Sequence, residues 1–159
     1  KELNLFVTGV GNVGERFLAQ IEQQQNYVKK NLKLKIRVIG ISNSKMMFFD
    51  ENGIDLTNWK ELLQQGEKAG IDTFYSKVTS HNLRNSVFID ITANQKVSEM
   101  YEHYLRENIA VVTCNKIACA SSSQNYNILK NVSRKSNVPF LYETNVGAGL
   151  PIIDTLKNL

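Results

Sequence analysis

The glycines of Thr8-Gly9-Val10-Gly11-Asn12-Val13-Gly14 stand between two runs of different periodicity, and this junction constrains the fold more than any other stretch of the chain. Before it, Leu3, Leu5 and Val7, with Phe6 on the other face, make a short strand that is apolar on both sides. Such a strand belongs in the middle of a parallel sheet covered by helices. After it, Val13, Phe17, Leu18, Ile21 and Val28 recur at helical spacing and predict a helix from Asn12 to about Lys30. A GxGxxG segment between a strand and a helix is the dinucleotide fingerprint in the context it requires. Gly9 permits the tight turn, Gly11 lacks the Cβ that would hold a pyrophosphate off the backbone, and Gly14 lets the helix lie close to the strand. The amides of Asn12 and Val13 have no intrahelical acceptor and sit at the positive end of the helix dipole, where a phosphate satisfies both needs.

The same alternation continues along the chain. Leu34 to Ile41 reads as a second strand, ending in Ser42-Asn43-Ser44-Lys45. An acidic residue at this strand end commonly binds the adenosine ribose where NAD is selected; here a serine and a lysine stand instead, which favours or tolerates NADP. Lys45 either meets the 2′-phosphate or points to water. Met46 to Phe49 is an apolar patch followed by a turn, and Asp55 or Thr57 can cap a helix through Trp59, Leu62 and Leu63 that Gly66 ends. A further helix covers Phe74 to His81. This region is expected to be an elaboration that covers the sheet.

Val87 to Thr92 is another continuous apolar strand, and Thr92-Ala93-Asn94 at its carboxyl end lies where open α/β sheets bind ligands. Thr92 and Asn94 are expected to edge the nicotinamide half, while Asn94 also suits the cap of a helix through Val97, Met100, Tyr101, Tyr104 and Leu105. Ala110 to Thr113 is a fourth strand, followed by Cys114, Asn115 and Lys116. A lysine just past a strand end either reaches a ligand carbonyl or is ordinary solvated surface. A helix with Tyr126, Leu129 and Val132 and a fifth strand, Val138 to Tyr142, complete the pattern. It predicts an α/β fold: a doubly wound, mostly parallel sheet of Rossmann type.

The 159 residues suit one domain with a sizeable core. No apolar run approaches a membrane span, and the Lys1-Glu2 start is neither a signal peptide nor an initiator methionine, so the chain is expected to be cut from a longer cytoplasmic one. The net charge of +4 is dispersed, without the aromatic cluster or recognition helix of a nucleic-acid binder, so nucleic acid is not expected as a partner. Cys114 and Cys119 make no disulfide framework, and His81 and His103 are not spaced near them as zinc ligands would be.

Taken together, Phe6 to Gly14, Ile41 to Lys45, Val112 to Ala118 and Tyr142 to Pro151 resemble homoserine dehydrogenase, specifically the dehydrogenase half of the bifunctional aspartokinase/homoserine dehydrogenases. The resemblance covers essentially the whole chain. Its more specific part is the Thr-x-Asn-Lys segment followed by Asn-Val-Gly-Ala-Gly-Leu-Pro, with one departure at Cys114, where proline or alanine is usual. That family interconverts L-homoserine and L-aspartate 4-semialdehyde with NAD(P)H, by hydride transfer between the nicotinamide and the aldehyde carbon. The fingerprint and strand-end readings together with the resemblance lead to expected cofactor contacts at Gly9, Gly11, Asn12, Val13, Gly14, Ser42, Asn43, Ser44, Lys45, Thr92, Ala93, Asn94 and Lys116. The resemblance also implies a catalytic role for Lys116. Glu143, Val146, Ala148 and Leu150 match a loop that in some members holds a monovalent cation such as Na+, largely through backbone oxygens. Residues 1–150 would then be the dinucleotide-binding domain, and residues 151–159 the start of a helix leading into a substrate and dimerisation domain. Homo-oligomerisation is expected of the full-length protein. The competing reading is a non-catalytic NAD(P)-sensing module, which shares the fingerprint but gives no reason for Lys116 and the Glu143-to-Pro151 loop to meet at one crevice.

Overall fold

The computed structural model describes residues 1–115, 123–142 and 156. Seven strands form one sheet in the order β4-β3-β2-β1-β5-β6-β7. These are β1 (Glu2–Thr8), β2 (Lys35–Ser42), β3 (Met46–Phe49), β4 (Glu67–Lys68), β5 (Ser86–Asp90), β6 (Ala110–Thr113) and β7 (Phe140–Tyr142). The helices are α1 (Asn12–Leu32), α2 (Trp59–Gln64), α3 (Ile71–His81), α4 (Gln95–Ser98), α5 (Tyr101–Arg106) and α6 (Ser123–Ser136). The pairs β1·β2, β1·β5, β5·β6 and β6·β7 are parallel, so the doubly wound sheet expected from the alternation is present, with β1 between β2 and β5.

Burial follows the apolar patterns. β5 and β6 are buried at every position, as strands covered on both faces must be. Phe6 and Phe88 are register partners and so share a face of the sheet. On that face they join Phe49, Phe74 and His81, and Tyr104 stacks on Phe88 with ring centroids 4.0 Å apart. α3 and α5 therefore cover this face. α1 packs against β2 and buries Phe17, Leu18, Ile21 and Val28. Val13, counted above among its apolar stripe, is instead 39% exposed at the helix start. The helix runs two residues beyond Lys30 and ends on Lys33 in the left-handed region (φ 52°), whose amide returns to the Val28 carbonyl.

The segment read as a cover for the sheet extends the sheet instead. Met46–Phe49 turns back on β2 as an antiparallel strand, and the two-residue β4 pairs with it in turn. Gly40 makes this pairing possible, because a Cβ there would stand 2.5 Å from the Phe49 ring. The expected single helix after Asn94 is two short ones, α4 and α5, with Glu99 and Met100 between them. α2 begins one residue after Asn58 rather than on an Asp55 or Thr57 cap. Asp55 accepts instead from the Thr57 amide and hydroxyl in the preceding turn. Leu156 is buried in the core of this same domain, so this residue of the terminal stretch finds its packing partner here.

Candidate functional site

The carboxyl ends of β1, β2 and β5 meet around a cavity of about 710 Å³. Its first wall is the glycine turn. β1 stops at Thr8, and the amides of Gly9 and Val10 both donate to the Ser42 carbonyl, at 2.8 and 3.1 Å, which ties the turn to the end of β2. Gly9 has φ +97°, and a Cβ on it would come within 2.6 Å of the Ile91 carbonyl group. A Cβ on Gly14 would stand 2.6 Å from the Gly9 oxygen, whereas one on Gly11 would meet nothing within 4 Å. Two of the glycines thus close a packed corner, and the third leaves open space at the cavity wall. α1 has no side-chain cap, and among the described residues the amides of Asn12 and Val13 have no backbone acceptor. The helix therefore starts with donors unspent beside that open space.

The second wall is the tight connection from β2 to β3. Asn43 Oδ1 accepts from the amides of Lys45 and Met46 at 2.8 and 2.7 Å, and Ser42 Oγ donates to the Asn43 carbonyl at 2.9 Å. These two side chains build the turn. Ser42, Asn43 and Ser44 line the cavity, and Ser44 and Lys45 are exposed at the turn tip. Lys45 is not among the lining residues, nor are Val13 and Gly14. Asn12 lines a smaller adjoining cavity of about 260 Å³, where Lys60 pairs with Glu15 at 2.6 Å.

The third wall is the loop after β5, shaped by three successive side-chain turns. Asp90 Oδ1 accepts from the Thr92 amide (2.8 Å) and hydroxyl (2.6 Å), Thr92 Oγ1 accepts from the Asn94 amide (3.2 Å), and Asn94 Oδ1 accepts from the Lys96 amide (2.9 Å). Asn94 is therefore the cap of α4, and Thr92, Ala93 and Asn94 line the cavity together with Gly9 and Gly11. The floor is apolar and aromatic, made chiefly of Phe74, Phe88, Tyr104, Ile71, Val97 and Met100. Burial pushes the Tyr104 hydroxyl well above its ordinary pKa, with Tyr75 and Asp90 adding to the shift, so the floor is uncharged.

A buried polar cluster supports the third wall from below. Asp90, Thr113 and Asn115 are fully buried. Asp90 Oδ2 accepts from the Tyr101 hydroxyl and from Asn115 Nδ2, the latter at 3.1 Å. Burial raises the Asp90 pKa, and its hydrogen bonds from Thr92, Tyr101 and Asn115 pull in the opposite direction without cancelling that cost. Lys116, Glu143, Val146, Ala148 and Leu150 lie outside the described residues. Among the described residues no three His, Cys, Asp or Glu side chains are grouped as metal ligands.

The family model for the NAD-binding domain of homoserine dehydrogenase matches residues 9–143. The chain belongs to this family. As a homoserine dehydrogenase NAD-binding domain it is 40% identical, over its whole length, to the bifunctional aspartokinase/homoserine dehydrogenase of Haemophilus influenzae, covering 20% of that protein. It is 41% identical over 96% of its length to the chloroplastic bifunctional enzyme 1 of Arabidopsis thaliana, covering 17%. The chain thus spans about a fifth of the length of these relatives. A hyperthermophilic archaeal homoserine dehydrogenase solved in complex with NADPH superposes with a TM-score of 0.72 at 20% identity, over 91% of this chain and 44% of that one, and so shares the fold.

Eight of the residues expected from the sequence to contact a cofactor line one cavity: Gly9, Gly11, Ser42, Asn43, Ser44, Thr92, Ala93 and Asn94. Sequence reasoning missed the aromatic floor and the Asp90 cluster. One signal for the cluster was available, because a carboxylate inside the apolar run Val87-Phe-Ile-Asp90-Ile must be buried and therefore needs donors.

Proposed function

We propose that this chain is the cofactor-binding part of a homoserine dehydrogenase that interconverts L-homoserine and L-aspartate 4-semialdehyde, a cytoplasmic step of amino-acid biosynthesis. What carries the reading is the open space at Gly11 beside the unspent amides at the start of α1, facing a cavity edged by two polar strand-end loops. The amides of Asn12 and Val13 would hold the pyrophosphate of NADP or NAD. Ser44 and Lys45 would meet the adenosine ribose and its 2′-phosphate, and the apolar floor of Phe74, Phe88 and Tyr104 suits the planar adenine. Thr92, Ala93 and Asn94 would edge the half that carries the nicotinamide. The bound dinucleotide supplies the hydride. Lys116 would hold the substrate oxygen and stabilise the charge that develops on it. Glu143, Val146, Ala148 and Leu150 would hold a monovalent cation, and the full-length protein would be a homo-oligomer.

Gly11→Val tests the central step. Because a Cβ there meets nothing within 4 Å, the variant should fold with little loss of stability, yet its side chain fills the space through which a pyrophosphate reaches the helix. Calorimetry should show NADPH binding to the parent and little to the variant. Equal affinities would remove the glycine cradle from the reading.

A further inference from the structure

The loop Thr92–Asn94 starts two residues past Asp90, the end of β5, and beyond the Ile91 amide, which still donates to the Thr8 carbonyl at 2.9 Å. Its Ala93 and Asn94 are exposed and line the cavity. On the inner side the loop is gripped by a residue from a different strand end. Asn115, two residues beyond β6, directs its carboxamide Nδ2 to the Asn94 carbonyl at 2.9 Å, to Asp90 Oδ2 at 3.1 Å and toward Thr92 Oγ1 at 3.3 Å. Asn115 is itself fixed: its amide donates to Thr113 Oγ1 at 3.0 Å, and Thr113 Oγ1 lies 2.5 Å from the Tyr101 hydroxyl. The neighbouring Cys114 amide donates to the Asp90 carbonyl at 2.8 Å.

The hydrogen directions in this cluster follow from Asp90. Its carboxylate accepts from the Tyr101 hydroxyl, so the Tyr101 oxygen accepts in turn from Thr113, and Thr113 still accepts from the Asn115 amide. The hydroxyl hydrogens of Tyr101 and Thr113 thus have consistent directions, and the two hydrogens of Asn115 Nδ2 face three acceptors. A fully buried carboxamide is costly unless its hydrogens are used, and Asn115 uses them on the loop and on the anchor of the loop. The carbonyl of an exposed cavity-lining residue is thereby tied to the buried end of the adjacent strand.

We propose that Asn115 is a positioning residue for dinucleotide binding: it holds the Thr92–Asn94 loop, with Asp90 as the anchor, in the conformation that lines the cavity. The proposal rests on the cofactor-binding reading above and adds a residue that is fully buried and stands behind the cavity lining. With Asn115 in place the loop is set before binding. Without it, the loop must be ordered when the dinucleotide arrives, and that ordering lowers affinity.

The test combines NADPH calorimetry with amide hydrogen exchange on the intact protein, Asn115→Ala and Tyr101→Phe. Tyr101→Phe serves as the comparison because it removes a bond to the same carboxylate from α5 and leaves the bond from Asn115 to Asn94 in place. Asn115→Ala should bind NADPH about tenfold more weakly, in line with the loss of hydrogen bonds that include one to a charged group. Its Thr92, Asn94 and Lys96 amides should exchange faster while those of Leu5 and Phe88 do not. Tyr101→Phe should lose stability and keep its affinity. If Asn115→Ala does not fold, Asn115→Ser replaces it, since the shorter hydroxyl can serve Asp90 but cannot also span to Asn94. Unchanged affinity in the Asn115 variant overturns the proposal, as does a loss of affinity that tracks stability equally in the Asn115 and Tyr101 variants. A parent protein that fails to bind NADPH overturns the cofactor reading itself, and that result is seen before any variant is compared.

Discussion

A Cβ built on Gly14 would stand 2.6 Å from the carbonyl oxygen of Gly9, so the first turn of α1 rests directly on the turn that ends β1. The contact is backbone against backbone, and no side-chain rotation relieves it. Gly14→Ala should therefore destabilise the fold by about 1–3 kcal/mol, the usual cost of overpacking a tight contact. Gly9→Ala should cost at least as much, because it adds a residue at φ +97° to a clash with the Ile91 carbonyl group. Urea unfolding of both variants beside Gly11→Val should rank Gly11→Val as the mildest. A Gly14→Ala protein as stable as the parent would mean that the corner can open.

The sheet could be read from the sequence as far as its pattern was local. β1, β5 and β6 are runs of apolar residues bounded by polar ones, and α1 repeats its buried residues at helical spacing. Met46–Phe49 has no period to read, and its strand character comes from pairing with β2, which depends on Gly40 yielding space to the Phe49 ring. The rim of the site was equally open to reading, because strand ends carry it. The roles within the rim were not, since Asn43 closes a turn onto two amides and thereby leaves Ser44 and Lys45 at the tip. The grip of Asn115 on Asp90 joins residues 25 positions apart, a pairing that only the parallel register of β5 and β6 brings about.

Selectivity between the two cofactors should reside at that tip. Ser42 and Asn43 spend their side chains on the turn, whereas Ser44 lines the cavity and Lys45 adjoins it in sequence. Lys45→Ala should lower NADP affinity and leave NAD affinity nearly unchanged, with a loss of roughly 1–3 kcal/mol for a charge-assisted contact to phosphate. Ser44→Asp should swing the preference toward NAD, because a carboxylate repels the 2′-phosphate and accepts from ribose hydroxyls. Titrations of both nucleotides against each variant give the ratio. An unchanged ratio in both would move the ribose site away from this turn.

Lys116 follows Asn115 in the chain, and the resemblance implies a place for it beside the reacting carbon of the substrate. Lys116→Ala in the complete enzyme should lower kcat on the order of a hundredfold or more while NADP affinity changes little, the pattern of an interaction made mainly in the transition state. Homoserine oxidation and NADP binding measured on one preparation separate this from a structural role, which would reduce folding or cofactor affinity and spare turnover per loaded enzyme. Near-normal kcat would end the catalytic assignment.

Asp90 makes stability depend on pH in a direction that can be stated. Burial raises its pKa in the folded protein above the ordinary carboxylate value of 3.8, while the unfolded chain titrates near that value. Between the two values the folded state binds the proton more tightly, so stability due to this group is fully present below the unfolded pKa and is lost as pH rises through the folded one. Asp90→Asn removes this dependence. It also places an amide donor where Tyr101 and Asn115 now donate, and should cost about 1–3 kcal/mol for the mismatched buried bonds. The stability gap between parent and variant should therefore be widest near pH 4 and should narrow toward neutrality. Urea unfolding at several pH values between these limits measures it. A gap that widens with rising pH would show the hydrogen bonds outweighing burial, with the Asp90 carboxyl held below its ordinary pKa instead of above it.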